Sequence, residues 1–181
     1  MKISLPLSLE EAALLKAGTA VSLSGVMYTA RDAAHKRLIE LLDAGKPLPF
    51  AIEGAAIYYA GPTPAPPGTI IGSAGPTTSS RMDAYTPRLL DIGLRVMIGK
   101  GKRSDAVIAA IKQNGALYLG AIGGAGALLA SCIKVADTIA FDDLGTEAIR
   151  RLVVEDFPAV VLIDTWGTNF YETGRTAYLR H

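Results

Sequence analysis

A polar stretch at residues 75–83 concentrates groups that bind anions, because it holds four consecutive hydroxyl residues and an arginine: Thr77, Thr78, Ser79, Ser80 and Arg81. The apolar run at residues 69–72 before it predicts a buried strand, and the apolar spacing of residues 82–90 after it predicts a helix. Ser80 and Asp83 have the spacing of a capping box that would place Arg81 in the first helical turn. Such a corner suits a small anion, although an ordinary polar loop with a good N-cap fits the stretch equally well.

A second stretch with the same pattern lies earlier in the chain. Residues 21–28 alternate like a strand, and Thr29 and Asp32 form another capping-box pair that would place Arg31 in the first turn of a helix over residues 31–44. Neighbouring parallel strands place such corners on one edge of an α/β sheet, where ligands usually bind. Because each guanidinium can grip one carboxylate through two hydrogen bonds, two arginines there indicate a ligand with two carboxylates.

Lys100 supplies a third cation at the end of a predicted strand, residues 94–98. It lies in the turn Gly99-Lys100-Gly101, and Ser104 would cap the helix that follows over residues 105–114. The run resembles a phosphate loop only loosely, since it lacks the longer glycine spacing and the Lys-Ser/Thr pair of a nucleotide P-loop. We therefore give nucleotide binding little weight.

Asp32 and His35 lie one helical turn apart and allow two interpretations. They could relay protons at the predicted anion site. The interpretation we favour is structural, with Asp32 as a capping carboxylate and His35 bonded to the backbone of the first turn.

Strand and helix signals alternate along the chain, which predicts an α/β domain with a mainly parallel central sheet flanked by helices. The remaining predicted strands are residues 55–60, 116–121, 135–141 and 159–163, and the remaining helices are residues 8–16, 125–134 and 144–152. A proline cluster at residues 62–67 predicts a stiff loop and not a domain boundary, because apolar patterning resumes directly after it. We therefore expect one domain over residues 1–181.

Composition narrows the classes of function. The chain has 18 basic and 17 acidic residues and a net charge of +1. Its overall electrostatic potential is therefore too weak to bind nucleic acid or an anionic membrane nonspecifically. Hydrophobic residues make up 50% of the chain, and the mean hydropathy is +0.30, which suggests a protein partner. The uncharged residues 115–133 contain five glycines and divide better into a strand, a turn and a helix than into a membrane span.

The chain has one cysteine, Cys132, so it can form no intrachain disulfide and cannot alone hold a cysteine-ligated metal or cluster. Its apolar surroundings indicate a small buried hydrophobe on a helix. The N-terminus has no long apolar segment of the kind that directs secretion, so the cytoplasm is the expected location.

Taken together, these motifs resemble the β subunit of the class I iron–sulfur fumarases and L-tartrate dehydratases, which corresponds to the C-terminal domain of the fused versions. The resemblance covers nearly the whole chain and is specific only when its motifs are combined. The matching motifs are Ser24-Gly25, residues 29–35, residues 75–83, Gly99-Lys100-Gly101, residues 122–125, residues 143–148 and residues 154–158.

The resemblance implies a swivelling β/β/α domain and reversible hydration of a C4 dicarboxylate, with fumarate to malate as the first candidate. It also implies a [4Fe-4S] cluster held by three cysteines of a companion α subunit, in a hetero-oligomer such as α2β2. This chain would contribute no metal ligand. The alternatives are an L-tartrate dehydratase β subunit and a regulatory module that binds a dicarboxylate without catalysis.

The resemblance further implies roles for particular residues. Arg31 and Arg81 would bind substrate, Lys100 would be a further substrate contact, and Thr77 would be the base, with Thr78 beside it in the substrate site. Asp32, His35 and Asp83 would have supporting roles. An alcohol is a very weak acid, so only a strongly cationic pocket could make the alkoxide of Thr77 accessible.

Overall fold

The computed structural model describes residues 1–122 and 124–176, and its strands form one seven-stranded sheet. The strands are β1 (Lys2–Leu5), β2 (Ala20–Thr29), β3 (Ala56–Tyr58), β4 (Val96–Gly99), β5 (Leu117–Gly120), β6 (Ile133–Ala140) and β7 (Ile149–Ile163). The α-helices are α1 (Leu9–Ala13), α2 (Asp32–Asp43), α3 (Thr86–Asp91), α4 (Asp105–Asn114), α5 (Gly126–Ser131) and α6 (Phe170–Thr176). Two 3₁₀ helices span Ser79–Met82 and Asp142–Glu147.

The sheet is mixed and partly closed, with strand order β1-β2-β3-β4-β5-β7-β6. Strands β1 to β5 pair in parallel, whereas β7 pairs antiparallel with β2, β5 and β6. The predicted α/β class with a mainly parallel, helix-flanked sheet is therefore confirmed. Because β2 to β5 run the same way, their carboxyl ends lie on one edge, and the segments that follow them begin there.

The two faces of the sheet are covered by two hydrophobic clusters, as strand alternation requires. Tyr58, Ile98 and Leu119 belong to one cluster. Their chain neighbours Met97 and Tyr118 belong to the other, together with the buried faces of α2, α3 and α4. Apolar residues on both faces explain why these short strands appear in the sequence as continuous apolar runs.

The predicted helix at residues 144–152 is wrong in part, because strand β7 begins at Ile149. The predicted strand at residues 159–163 is present, but it is only the end of β7, which spans Ile149–Ile163. Gly145 has a non-helical backbone that kinks the 3₁₀ segment Asp142–Glu147 before the strand begins. Asp156 has a positive φ of 50° next to an irregularity in the pairing of β2 with β7. A charged pair before Phe157 and a proline after it are unusual inside a strand, and this bulge accommodates them.

The predicted buried strand at residues 69–72 is also wrong, because this segment is irregular and Ile70 is 53% exposed. It continues the loop that starts at the proline cluster, and only Ile71 packs partly against the core. The apolar residues of this segment therefore do not form the buried strand that their pattern predicts.

The other predicted elements are present, α4 with the predicted bounds and the rest with shifted ends, whereas β1 and α6 were not predicted. Ser8 caps α1 through a complete capping box with Glu11. Residues 115–133 divide into β5, a turn and α5, although Gly123 of the turn lies outside the described residues. None of the described helices combines the length and apolar character that crossing a lipid bilayer would take.

Gly25 lies opposite Leu5 where β1 pairs with β2. Its φ is +119°, and a Cβ atom would lie 2.3 Å from the carbonyl oxygen of Leu5. We expect Gly25→Ala to destabilise the protein by about 3 kcal/mol or more, because backbone strain adds to a clash with another backbone. Urea unfolding measures this loss.

Gly45→Ala is the matched control for Gly25→Ala. Gly45 also has a positive φ, +63°, but a Cβ atom added there would meet nothing within 4 Å beyond its own chain neighbours. Backbone strain alone should cost about 1 kcal/mol there. Equal losses in the two variants would show that the close approach of β1 is unimportant.

Candidate functional site

Arg31 and Arg81 meet at the carboxylate of Asp32. The Nε–H of Arg81 donates to Asp32 Oδ1 at 2.7 Å, and Arg31 Nε lies 3.8 Å from Asp32 Oδ2. Arg31 Nε and Asp32 Oδ2 are buried and have no hydrogen-bond partner among the described residues. The structure therefore brings the two arginines from separate parts of the chain to one carboxyl group.

Glu147 also pairs with Arg31 and was not predicted as a site residue. Its Oε1 lies 3.3 Å from Arg31 Nη2, and its Oε2 accepts a hydrogen bond from the backbone N–H of Ala33 at 2.9 Å. The carboxylate thus satisfies an N–H group at the start of α2 while it pairs with Arg31. The motif that contains Glu147 was visible in the sequence, but nothing there indicated its contact with α2.

The predicted capping box of Thr29 and Asp32 is wrong. Arg31 occupies the N-cap position of α2 and makes no side-chain cap. Thr29 is buried; its hydroxyl donates to the carbonyl oxygen of Ala148 at 3.3 Å and accepts from the N–H of Arg150 at 3.0 Å. Thr29 therefore ties the end of β2 to β7, and Asp32 is free to contact the arginines.

The hydroxyl-rich loop crosses the ends of β3 and β4 and is held there by backbone hydrogen bonds. The N–H of Thr77 donates to Tyr59 O at 2.6 Å, the N–H of Lys100 donates to Thr77 O at 3.3 Å, and the N–H of Ser79 donates to Lys100 O at 2.8 Å. Thr78 forms a parallel bridge with Lys100. The structure thus places Thr77, Thr78 and Lys100 side by side, with the last two exposed and Thr77 half-buried.

The predicted capping box of Ser80 and Asp83 is wrong as well. Arg81 lies in a 3₁₀ helix, and α3 begins only at Thr86. The carboxylate of Asp83 points away from Ser80 and accepts hydrogen bonds from Arg103 Nε and from the N–H of Ser104, both at 2.7 Å. The loop therefore presents no α-helix N-terminus to a ligand.

Arg103, which the sequence analysis missed, lies completely buried beneath this loop. Its Nη2 donates to Thr86 Oγ1 at 2.8 Å in addition to its bond with Asp83. Its guanidinium also lies near two aromatic rings, 5.3 Å from the ring centroid of Tyr59 and 5.0 Å from that of Tyr118. The sequence shows that Arg103 follows the Gly-Lys-Gly turn. A basic residue next to a turn is usually exposed, so nothing in the sequence predicted that Arg103 is buried.

His35 is fully buried and bonded to the backbone. Its Nδ1 lies 2.9 Å from the carbonyl oxygen of Arg31, so Nδ1 carries the proton, and Nε2 has no partner among the described residues. Burial lowers the pKa of His35 to about 4, so the ring is neutral at pH 7. The histidine supports the backbone that carries Arg31.

The charges of the site nearly cancel. Arg31, Arg81 and Lys100 contribute three positive charges, and Asp32 and Glu147 contribute two negative charges. Within the described residues there is no group of histidine, cysteine and carboxylate side chains arranged to hold a metal ion. Cys132 is half-buried at the C-terminal end of α5, and it is distant in sequence from the charged groups of the site.

The buried His35 predicts a pH dependence of stability. The unfolded state binds a proton near pH 6.5, whereas the folded state binds it only near pH 4. Stability should therefore fall by about 2 to 3 kcal/mol as the pH drops from 7 to 4.5, and be independent of this group above pH 7. Urea unfolding of the wild type at several pH values measures the slope.

The control for this prediction is His35→Asn, which keeps a donor near the Arg31 carbonyl and removes the titration. The variant should lose most of the slope, whatever its absolute stability. The other histidine, His181, lies outside the described residues and is present in both proteins. An unchanged slope in the variant would assign the pH dependence to other groups.

Comparison with known proteins gives a consistent result. The family model described as "Fumarase C-terminus" matches residues 1–174. The anaerobic class I fumarate hydratase of Escherichia coli K12 is 47% identical over 156 residues, which is 85% of this chain and 28% of that protein. Fumarate hydratase 2 of Leishmania major is 44% identical over the same shares of the two chains.

A third relative has a length similar to that of this chain. The putative L(+)-tartrate dehydratase subunit beta of Methanocaldococcus jannaschii is 38% identical over 164 residues, which is 87% of this chain and 84% of the relative. By contrast, the chain spans only 28% of the length of the two fumarate hydratases. The match is therefore to one portion of those enzymes.

Proposed function

The chain belongs to the Fumarase C-terminus family, and on that premise we propose that it is the β-type portion of an iron–sulfur hydro-lyase. The proposed reaction is reversible hydration of a C4 dicarboxylate, with fumarate to malate as the first candidate. The observation that carries this proposal is the meeting of Arg31 and Arg81 at one carboxylate. Thr77 and Lys100 lie on the same loop system.

The arginines are suited to bind a second carboxylate in addition to Asp32. Arg81 uses only its Nε on Asp32, its side chain is 50% exposed, and its two terminal nitrogens have no hydrogen bond within the described residues. A substrate carboxylate would accept two hydrogen bonds from such a guanidinium edge. We propose that Arg31, Arg81 and Lys100 bind the substrate, and that Thr78 adds a hydroxyl beside them.

Charge development explains why cations would be needed. Removing a proton from the carbon beside a carboxylate leaves two negative charges on that group, and preorganised cations stabilise the charge as it forms. We propose that in the dehydration direction the alkoxide oxygen Oγ1 of Thr77 takes this proton and becomes a neutral hydroxyl, which returns the proton to carbon in the hydration direction. The charges of the five charged groups of the site sum to only +1. Lys100 therefore contributes most to stabilising the developing negative charge, because it has no ion-pair partner among the described residues.

The residues of this chain do not fit a [4Fe-4S] cluster, which requires several cysteine thiolates, because the sequence contains one cysteine. We propose that a companion α subunit carries the cluster and completes the enzyme as an α2β2 hetero-oligomer in the cytoplasm. Tartrate is the second candidate substrate, because a tartrate dehydratase β subunit is 38% identical over most of this chain.

The first test of the proposal is turnover by the chain alone and by the chain copurified with its cluster-bearing α subunit. We expect fumarate hydration only in the complex. Thr77→Ala in the complex should lower kcat by about 10³-fold in both directions, because the group that exchanges the proton with carbon is removed, and should leave KM within about threefold.

Thr69→Ala is the matched control, because Thr69 lies in the same loop region and its hydroxyl binds only the nearby Pro66 carbonyl oxygen. It should leave kcat unchanged. Full activity of Thr77→Ala would place the base elsewhere. A wild-type complex that binds dicarboxylates but turns over none would favour the regulatory module.

A second test concerns substrate binding by Arg31. Arg31→Lys keeps the charge but cannot hold Glu147 and a substrate carboxylate at once, so KM for the dicarboxylate should rise by about 10- to 100-fold. Arg88→Lys is the control, because Arg88 pairs with Asp43 on the surface at 2.8 Å. Steady-state kinetics of the complex would contradict the proposal if both lysine variants kept the wild-type KM.

A further inference from the structure

We propose that Arg103 is a positioning residue that holds the loop carrying Thr77 and Arg81 against the turn carrying Lys100. This inference rests on the proposed function, because it assigns Arg103 to the geometry of that same site. We refer to Arg103, Asp83, Tyr118 and Ser79 together as the Arg103 clamp. Arg103 would act through these neighbours, without contacting substrate.

The first half of the clamp fixes the end of the loop. Asp83 follows the 3₁₀ helix that contains Arg81, and its two carboxylate oxygens bind Arg103 Nε and the N–H of Ser104. Both of these partners follow the turn at residues 99–101. One carboxylate thus connects the loop to the chain segment beyond Lys100 at two points.

The second half of the clamp fixes the middle of the loop. The hydroxyl of Tyr118 donates to Gly101 O at 2.8 Å, and its oxygen lies 2.9 Å from the hydroxyl of the fully buried Ser79. The approach is close: a Cβ atom at Gly99 would lie 2.1 Å from Ser79 Oγ. Burial raises the pKa of Tyr118, so its hydroxyl keeps its proton.

The energetics of a buried charge make this arrangement rigid. The side chain of Arg103 is 0% exposed, and its guanidinium pairs with the carboxylate of Asp83. Breaking such a pair leaves an uncompensated buried charge, which is strongly unfavourable, so Asp83 and the loop behind it are held in place. Replacing both members of a buried ion pair by apolar side chains of similar volume can leave a protein equally stable. Stability alone therefore does not account for a charged pair at this position.

Arg95 provides a matched control within the same protein. It is also buried, 7% exposed, and its guanidinium binds the carbonyl oxygens of Asn114 and Gly115. However, Arg95 precedes β4 whereas Arg103 follows it, so the two arginines lie at opposite ends of the parallel strands. A general effect of losing a buried arginine should appear in both, and an effect on the site only in Arg103.

The first measurement is amide hydrogen exchange of the free chain, which does not depend on any activity. Arg103→Met should increase exchange at Thr77, Ser79 and Lys100 by about tenfold or more, because the backbone hydrogen bonds of these amides hold the loop to Tyr59 and to the turn that carries Lys100. Arg95→Met should leave these three amides unchanged. Wild-type exchange rates in Arg103→Met, or the same increase in Arg95→Met, would overturn the clamp.

The second measurement is kinetics of the complex with the α subunit, expressed per folded active site. Arg103→Met should lower kcat by about 100-fold and raise KM, because both Thr77 and Arg81 shift. Arg103→Lys should recover part of kcat, and Arg95→Met should stay within about threefold of wild type. Wild-type kinetics in Arg103→Met would overturn the positioning role.

The two measurements separate the possible failures. If the wild-type complex has no hydratase activity, the proposed function fails, and hydrogen exchange still decides whether the clamp exists. If Arg103→Met does not fold, Arg103→Lys and Asp83→Asn replace it, with loss of protection at the same three amides as the expected result. Unchanged protection in both would reject the clamp.

Discussion

The pairing of β2 with β7 is the interaction on which the site depends. It runs antiparallel from Ala20 opposite Val160 to Tyr28 opposite Arg151, and it closes the sheet in part. The hydroxyl of Thr29 continues the connection by bonding to the backbone of Ala148 and Arg150. Because Glu147 immediately precedes this segment, the same pairing that builds the core brings its carboxylate to the start of α2.

Asp32 has an electrostatic role that follows from this placement. Two arginines held close together without a ligand would repel each other, and an intervening carboxylate removes that cost. Asp32 contacts both guanidinium groups, and Glu147 pairs with a terminal nitrogen of Arg31. The proposed substrate site is thus electrically balanced in part before any substrate arrives, with Lys100 as the cation that has no ion-pair partner among the described residues.

The sequence allowed the fold class and the presence of strands β3, β4 and β5 to be predicted, because these strands are short, apolar and bounded by glycine turns or capped helices. It misled at β7, where the predicted helix over residues 144–152 covers the start of a long strand, and at residues 69–72, where the apolar residues form no strand. Arg103 and Glu147 escaped notice because their importance comes from long-range contacts. The single-domain organisation and the roles of Thr77, Arg31, Arg81 and Lys100 stay predictions.

Main-chain groups anchor the loop at residues 77–79 through the N–H and carbonyl of Thr77 and the N–H of Ser79. Among the side chains of these three residues, only that of Ser79 adds a hydrogen bond within the described residues, to Tyr118. The structure shows no hydrogen bond from the side chains of Thr77 or Thr78 to other described residues, and Thr78 makes no side-chain cap. The path of the chain is therefore independent of which side chains these two positions carry. A relative could exchange Thr78, which is not the proposed base, and acquire a different substrate preference while the scaffold beneath stays the same.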